Sequence, residues 1–165
     1  AVGLLAPDAG EVTIEGYGNP QNADVRQKIG VAPQALALYD NLTAEENLRF
    51  FGEVYKLSGA RLAERVKWCL DFVGLTDRMD HYPNELSGGQ QQRVAIARAL
   101  ITDPTIVVAD EPTGDLDRST AEEILGLLDR LNREIGKTII MVTHDPKAAA
   151  KAHRVVQLEK GVLAG

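Results

Sequence analysis

Two apolar runs with one amphipathic stretch between them constrain this chain most. Ile106-Val107-Val108-Ala109 is continuous and apolar, and it ends in Asp110-Glu111. Such a run suits a strand of a parallel sheet, covered on both faces. Residues 138–142 form a second run of the same kind. Between them Ile124, Leu127, Leu128, Leu131 and Ile135 recur at helical spacing. Ser119-x-x-Glu122 reads as a capping box in front of that stripe, and Gly136 as the stop behind it. Strand, helix and strand in that order make a right-handed βαβ unit with both strands parallel. The fold class that follows is α/β.

The rest of the chain fills in around this unit. Residues 11–15 alternate polar side chains with Val12 and Ile14, which predicts a strand. Residues 28–32 predict another, stopped by Pro33. From 43 to about 102 the pattern is helical. Thr43-x-x-Glu46 caps the first helix, and Leu62, Val66, Cys69, Leu70 and Val73 share one face of the next. Cys69 and Trp68 read as core. Ser87 opens a helix reaching about 101, and residues 155–158 suggest a further strand. Val2, Leu4 and Leu5 lead into Pro7-Asp8-Ala9-Gly10, which reads as a helix tail, a turn and an N-terminus that is cut. We read one domain in three stretches: a core segment over 1–39, a helical insertion over 40–102 and a second core segment over 103–165.

Composition narrows the function. With 165 residues, a single domain can bury a sizeable core. The net charge of -6 argues against a nucleic-acid partner, because neutralising phosphates needs clustered Lys and Arg. One cysteine excludes an internal disulfide and fits a reducing compartment. No apolar run approaches the roughly 18 residues that span a bilayer, so any membrane role passes through a partner.

Leu86-Ser87-Gly88-Gly89-Gln90 is the sharpest motif. A capping box explains Ser87 and Gln90 but not the glycines, each of which costs a helix up to about 1 kcal/mol relative to Ala. They make sense where something approaches the backbone closely, and a helix N-terminus with bare amides attracts phosphate. Asp110 and Glu111 end a parallel strand, where open α/β sheets bind ligands. Val142-Thr143-His144-Asp145 ends the neighbouring strand. His81 and His153 have no such context and read as surface residues.

Leu86 to Gln90 matches the signature motif of ATP-binding-cassette (ABC) ATPases letter for letter, and Gln91 to Leu100 also resembles that family. The resemblance covers essentially the whole chain. It implies a P-loop NTPase-like core with a helical subdomain, binding ATP and Mg²⁺. Ser87, Gly88, Gly89 and Gln90 would then meet ATP held mainly by a second ABC ATPase domain. Asp110 resembles the Walker B aspartate that holds Mg²⁺, and Glu111 the catalytic glutamate. Gln34 resembles the Q-loop glutamine, which contacts Mg²⁺ and the attacking water. Gly114-Asp115-Leu116-Asp117 resembles the D-loop, with Asp117 as its matching residue, although Asp115 departs from the small residue commonest there. His144 resembles the switch histidine on the γ-phosphate. The implied partners are a second such domain and a transmembrane permease, with the chain on the cytoplasmic face of the membrane. Residues 26–57 look like ATPases of drug export; residues 87–117 and 141–146 look more like the lipoprotein-release and macrolide-export group. Export is the direction both suggest.

The phosphate-binding loop, G-x-x-x-x-G-K-[ST], does not occur in the 165 residues. Gly136-Lys137-Thr138 is a decoy: Leu131 stands where the first glycine belongs, and the tripeptide follows a helix. In the family this loop and the adenine-stacking aromatic precede the region that begins at Ala1. The expectation is that the 165 residues alone are inactive, with an open sheet edge beside residues 105–110. Two other readings compete with a transporter motor. One is a non-catalytic docking module, favoured by the missing phosphate loop and disfavoured by intact Glu111 and His144. The other is a soluble ABC ATPase of chromosomes or ribosomes, disfavoured by the acidic charge and the lack of coiled-coil insertions.

Overall fold

The computed structural model describes residues 7–160 and 162–164. The inferred helix tail over 2–5 lies outside them. Its elements run α1 (Ala23–Arg26), β1 (Ile29–Ala32), α2 (Ala44–Val54), α3 (Gly59–Val73), α4 (Gly88–Leu100), β2 (Ile106–Asp110), α5 (Arg118–Arg133), β3 (Thr138–Val142), α6 (Pro146–Ala149), β4 (Gln157–Glu159) and β5 (Val162–Ala164). Short 3₁₀ turns at Thr76–Arg78 and Pro83–Glu85 join α3 to α4.

The sheet is parallel, ordered β1-β2-β3, with Ala32 beside Ala109 and Asp110 beside Val142. All three strands therefore end on one edge. β2 is the central strand, which corrects the expected open edge beside residues 105–110. Among the described residues β1 and β3 are the strands that pair on one side only. Val107 and Ala109 are fully buried, as a strand covered on both faces requires. β3 departs from that expectation. Ile139 and Met141 pack against the core, while Ile140 and Val142 are about half exposed, at 46% and 51%.

The stretch from residue 43 to about 102 is helical, as the sequence predicts. Thr43 closes a reciprocal capping box with Glu46 at the start of α2. The five-residue stripe of α3 is buried, with Cys69 inside it, and burial pushes the thiol up to about 12. Trp68 is partly buried and stacks on Phe72. α4 runs through the middle, packed against α2, α3, α5 and β1, so nearly every side chain from Gln92 to Leu100 is buried.

Four local expectations are corrected. Residues 11–15 make no strand; Ile14 makes only an isolated bridge to Gly18 across a tight turn. α5 begins two residues earlier than the Ser119 box, because Asp117 caps it by accepting from the amides of Ser119 and Thr120. The helix ends at Arg133, so Ile135 lies beyond the apolar stripe and is 39% exposed. The expected strand over 155–158 is the three-residue β4, paired antiparallel with β5 and apart from the parallel sheet. Gly136 does stop the α5 segment. Its φ of 74° lets its own amide and that of Lys137 reach back to the carbonyls of Asn132 and Leu131.

Candidate functional site

Parallel register carries the site residues to one edge. Glu111 follows β2 and extends its ladder by one bond, its amide donating to the Val142 carbonyl at 2.8 Å. Its backbone has φ 45°, a left-handed conformation that turns the chain sharply at the strand end. The side chain thereby reaches the end of β3. One carboxylate oxygen accepts from the His144 amide at 2.9 Å and from its Nδ1 at 2.7 Å; the other accepts from the Thr143 hydroxyl at 3.2 Å. The carboxylate is 15% exposed and the imidazole 84%.

This geometry fixes the protonation. The hydrogen bond from the His144 ring, then its amide and the Thr143 hydroxyl, hold the Glu111 carboxyl below its usual range. The same hydrogen bond and the carboxylate's charge raise the His144 imidazole above its ordinary value. An ionised carboxylate only accepts, so Nδ1 carries a proton. Two carboxylate oxygens offer about four acceptor positions, and three are in use. One remains for a water.

Asp110 is exposed at the end of β2, and among the described residues its carboxylate makes no hydrogen bond or ion pair. Gln34 lies two residues past β1, exposed, on the same edge. Among the described residues no cluster of three or more His, Cys, Asp or Glu could hold a metal by itself. A single free carboxylate suits Mg²⁺, which keeps most of its waters and takes the rest of its shell from phosphates.

The signature segment is built as a cap. Ser87 Oγ accepts from the Gln90 amide at 3.3 Å, and Gln90 returns a carboxamide oxygen to the Ser87 amide at 2.9 Å. Ser87 and Gly88 are exposed, whereas Gly89 is buried. Asp117 spends its carboxylate on its own helix: besides the two amides it accepts from the Thr120 hydroxyl at 2.6 Å. These bonds, led by that hydroxyl, hold its carboxyl below the usual range. The structure thus brings Asp110, Glu111, Gln34 and His144 to one sheet edge and sets Ser87 to Gln90 at the start of α4. His153 is exposed, as expected; His81 is half-buried, its carbonyl accepting from the Ala44 amide.

Sequence reasoning passed over Arg98. It is buried, lies 4.6 Å over the Phe51 ring and donates to the Ala37 carbonyl at 2.6 Å. It therefore ties α4 to the loop that carries Gln34. A charged residue amid the apolar run Val94 to Leu100 was the available signal, since a buried arginine needs partners.

The fold and this edge define an ATP-hydrolysing cassette of the α/β class, and comparison with known proteins agrees. The family model described as ABC transporter matches residues 1–114. The ABC transporter ATP-binding protein YtrE of Bacillus subtilis is 41% identical over 169 residues, spanning 99% of this chain and 73% of that protein. An uncharacterised ABC transporter ATP-binding protein of Thermotoga maritima is 44% identical, spanning 98% and 71%. The methionine import ATP-binding protein MetN of Streptococcus agalactiae is 42% identical, spanning 97% of this chain and 48% of that protein. Among solved structures, the ATP-binding cassette MJ0796, in a dimeric post-hydrolysis state bound to ADP and Pi, superposes with a TM-score of 0.81 at 41% identity. That match covers 96% of this chain and 73% of the other. The chain belongs to the ABC transporter family, as part of its ATP-binding, ATPase component.

Proposed function

We propose that this chain supplies one half of each of two composite ATP sites, and that closing a dimer around the nucleotides moves a membrane permease. The observation that carries the reading is the Glu111–His144 pair at the edge shared by β2 and β3. Glu111 is ionised and keeps one acceptor position free, so it can orient a water and take its proton as general base. His144 holds its Nδ1 proton against Glu111, and its raised proton affinity favours the imidazolium. The exposed Nε2–H can then donate to a γ-phosphate without leaving Glu111. Asp110, with Gln34, would hold Mg²⁺ through waters. The ion neutralises charge between the β- and γ-phosphates. Ser87, Gly88, Gly89 and Gln90 would face the nucleotide of the opposite subunit, and Asp117 would cross the dimer beside them. The dimeric MJ0796 cassette supports a paired arrangement.

The permease, the cytoplasmic position and the direction are proposed on family grounds. Among the described residues no helix is long and apolar enough to cross a membrane. Export is proposed from the sequence likeness alone; methionine import proteins are as similar as YtrE.

The test uses the chain extended before Ala1 by a family phosphate-loop unit. Glu111→Gln keeps the shape of the side chain but cannot accept the proton. Turnover falls about 10²- to 10⁴-fold, while ATP drives a dimer that is visible by sedimentation. Hydrolysis near the wild-type rate removes Glu111 from the role of base.

A further inference from the structure

We propose that Thr120 is a positioning residue for the signature segment, and that Gly89 is a glycine because the Thr120 methyl occupies the place of its side chain. The inference rests on the reading of Ser87 to Gln90 as the nucleotide-facing turn. A Cβ built on Gly89 would stand 2.2 Å from Thr120 Cγ2, with Thr120 Cβ at 3.6 Å and Oγ1 at 3.9 Å. The adjacent Gly88 meets only ordinary contact, Leu116 Cδ2 at 3.7 Å. Of the two glycines, then, one is demanded by this chain's own packing.

Thr120 holds its place through its other branch. The hydroxyl donates to Asp117 Oδ2 at 2.6 Å and the amide to Oδ1 at 3.1 Å, which turns the methyl toward α4. One turn along, Arg93 bridges to Glu123 at 2.6 Å and donates to the Val73 carbonyl at 2.9 Å. The first turns of α4 and α5 are thereby clamped together, and Asp117 and Gly89 shift as one body. The threonine has two chemically distinct tasks: its oxygen fixes the Asp117 loop and its methyl sets the height of the Gly89 amide.

The methyl task predicts suppression. Gly89→Ala forces the helices apart; Thr120→Ser removes the obstructing methyl and keeps the hydroxyl. In urea unfolding of the 165-residue chain, Gly89→Ala lowers the midpoint and the double variant Gly89→Ala with Thr120→Ser regains most of the loss. A double variant no better than Gly89→Ala overturns the packing assignment. A second arm reads position. In the extended chain carrying Glu111→Gln, Thr120→Ser weakens ATP-driven dimerisation about tenfold, in the range expected of a repacked contact. Nucleotide affinity of the monomer is unchanged. Dimerisation indifferent to Thr120→Ser overturns the positioning role alone. An extended chain that never associates with ATP overturns the reading of the site, and the positioning role with it.

Discussion

At the residue scale, the Glu111–His144 pair concentrates the chemistry. Its pH behaviour follows from the two shifts. His144 gains its partner on folding, so its contribution is full below the ordinary imidazole value of 6.5 and fades as pH rises through the raised value. Glu111 is held below its ordinary 4.5, so its contribution is present above 4.5 and is lost as pH falls through the lowered value. The pair is thus intact between 4.5 and 6.5 and for some way above. An NMR titration of the His144 ring protons gives a midpoint above 6.5, returning toward 6.5 in Glu111→Gln. A wild-type midpoint at or below 6.5 shows that the imidazole does not hold this contact in solution. The pair could not be read from the sequence as a contact. Asp110, Glu111 and His144 were legible as strand-end residues, but the left-handed turn at Glu111, which aims its carboxylate across to β3, leaves no compositional trace.

At the element scale, the loop after β1 is held by buried polar groups. Asn47 is fully buried in α2, and its side chain accepts from the Tyr39 amide and donates to the carbonyls of Tyr39, Leu42 and Thr43. Arg98 holds the same loop at Ala37, whose φ is 48°. Replacing Asn47 with Ala strands the Tyr39 amide and the Leu42 carbonyl, while the Tyr39 and Thr43 carbonyls keep the amides of Leu42 and residue 47. Burial of unpaired groups costs about 1–3 kcal/mol each, and solvent entry moderates the sum. The expected loss is about 3 kcal/mol in urea unfolding; a loss under about 0.5 kcal/mol, ordinary for a surface site, means the loop is held otherwise. Helices with one strong periodicity were legible, down to the capping boxes at Thr43 and Ser87. The start of α5 was not, because Asp117 and Ser119 both satisfy capping rules two residues apart. Asp117 prevails by reaching two amides and the Thr120 hydroxyl. The strand expected over 11–15 failed for a different reason: alternation alone does not hold a strand, and here Ile14 folds back on Gly18 across a tight turn while Val12 stays 41% exposed.

At the scale of the whole molecule, one sheet edge carries Glu111, His144 and Asp110, the residues proposed as base, switch histidine and cation-binding carboxylate, while Ser87 to Gln90 begin α4 elsewhere on the surface. The sequence order of these motifs made the architecture legible, and the βαβ unit made β2 and β3 legible as parallel neighbours; the place of β1 on the other side of β2 was not, because parallel strands that share a pattern do not announce their neighbours. The central claim is that Glu111 of one subunit works with Ser87 of another. It is tested most directly by mixing two inactive variants of the phosphate-loop-extended chain, Glu111→Gln and Ser87→Arg, and measuring ATP hydrolysis. If the site is shared, each mixed dimer contains one site made of an intact Glu111 and an intact Ser87, and turnover reappears on mixing. If both residues act within one subunit, no combination restores an intact site, and a mixture as inactive as its components at every ratio contradicts the account.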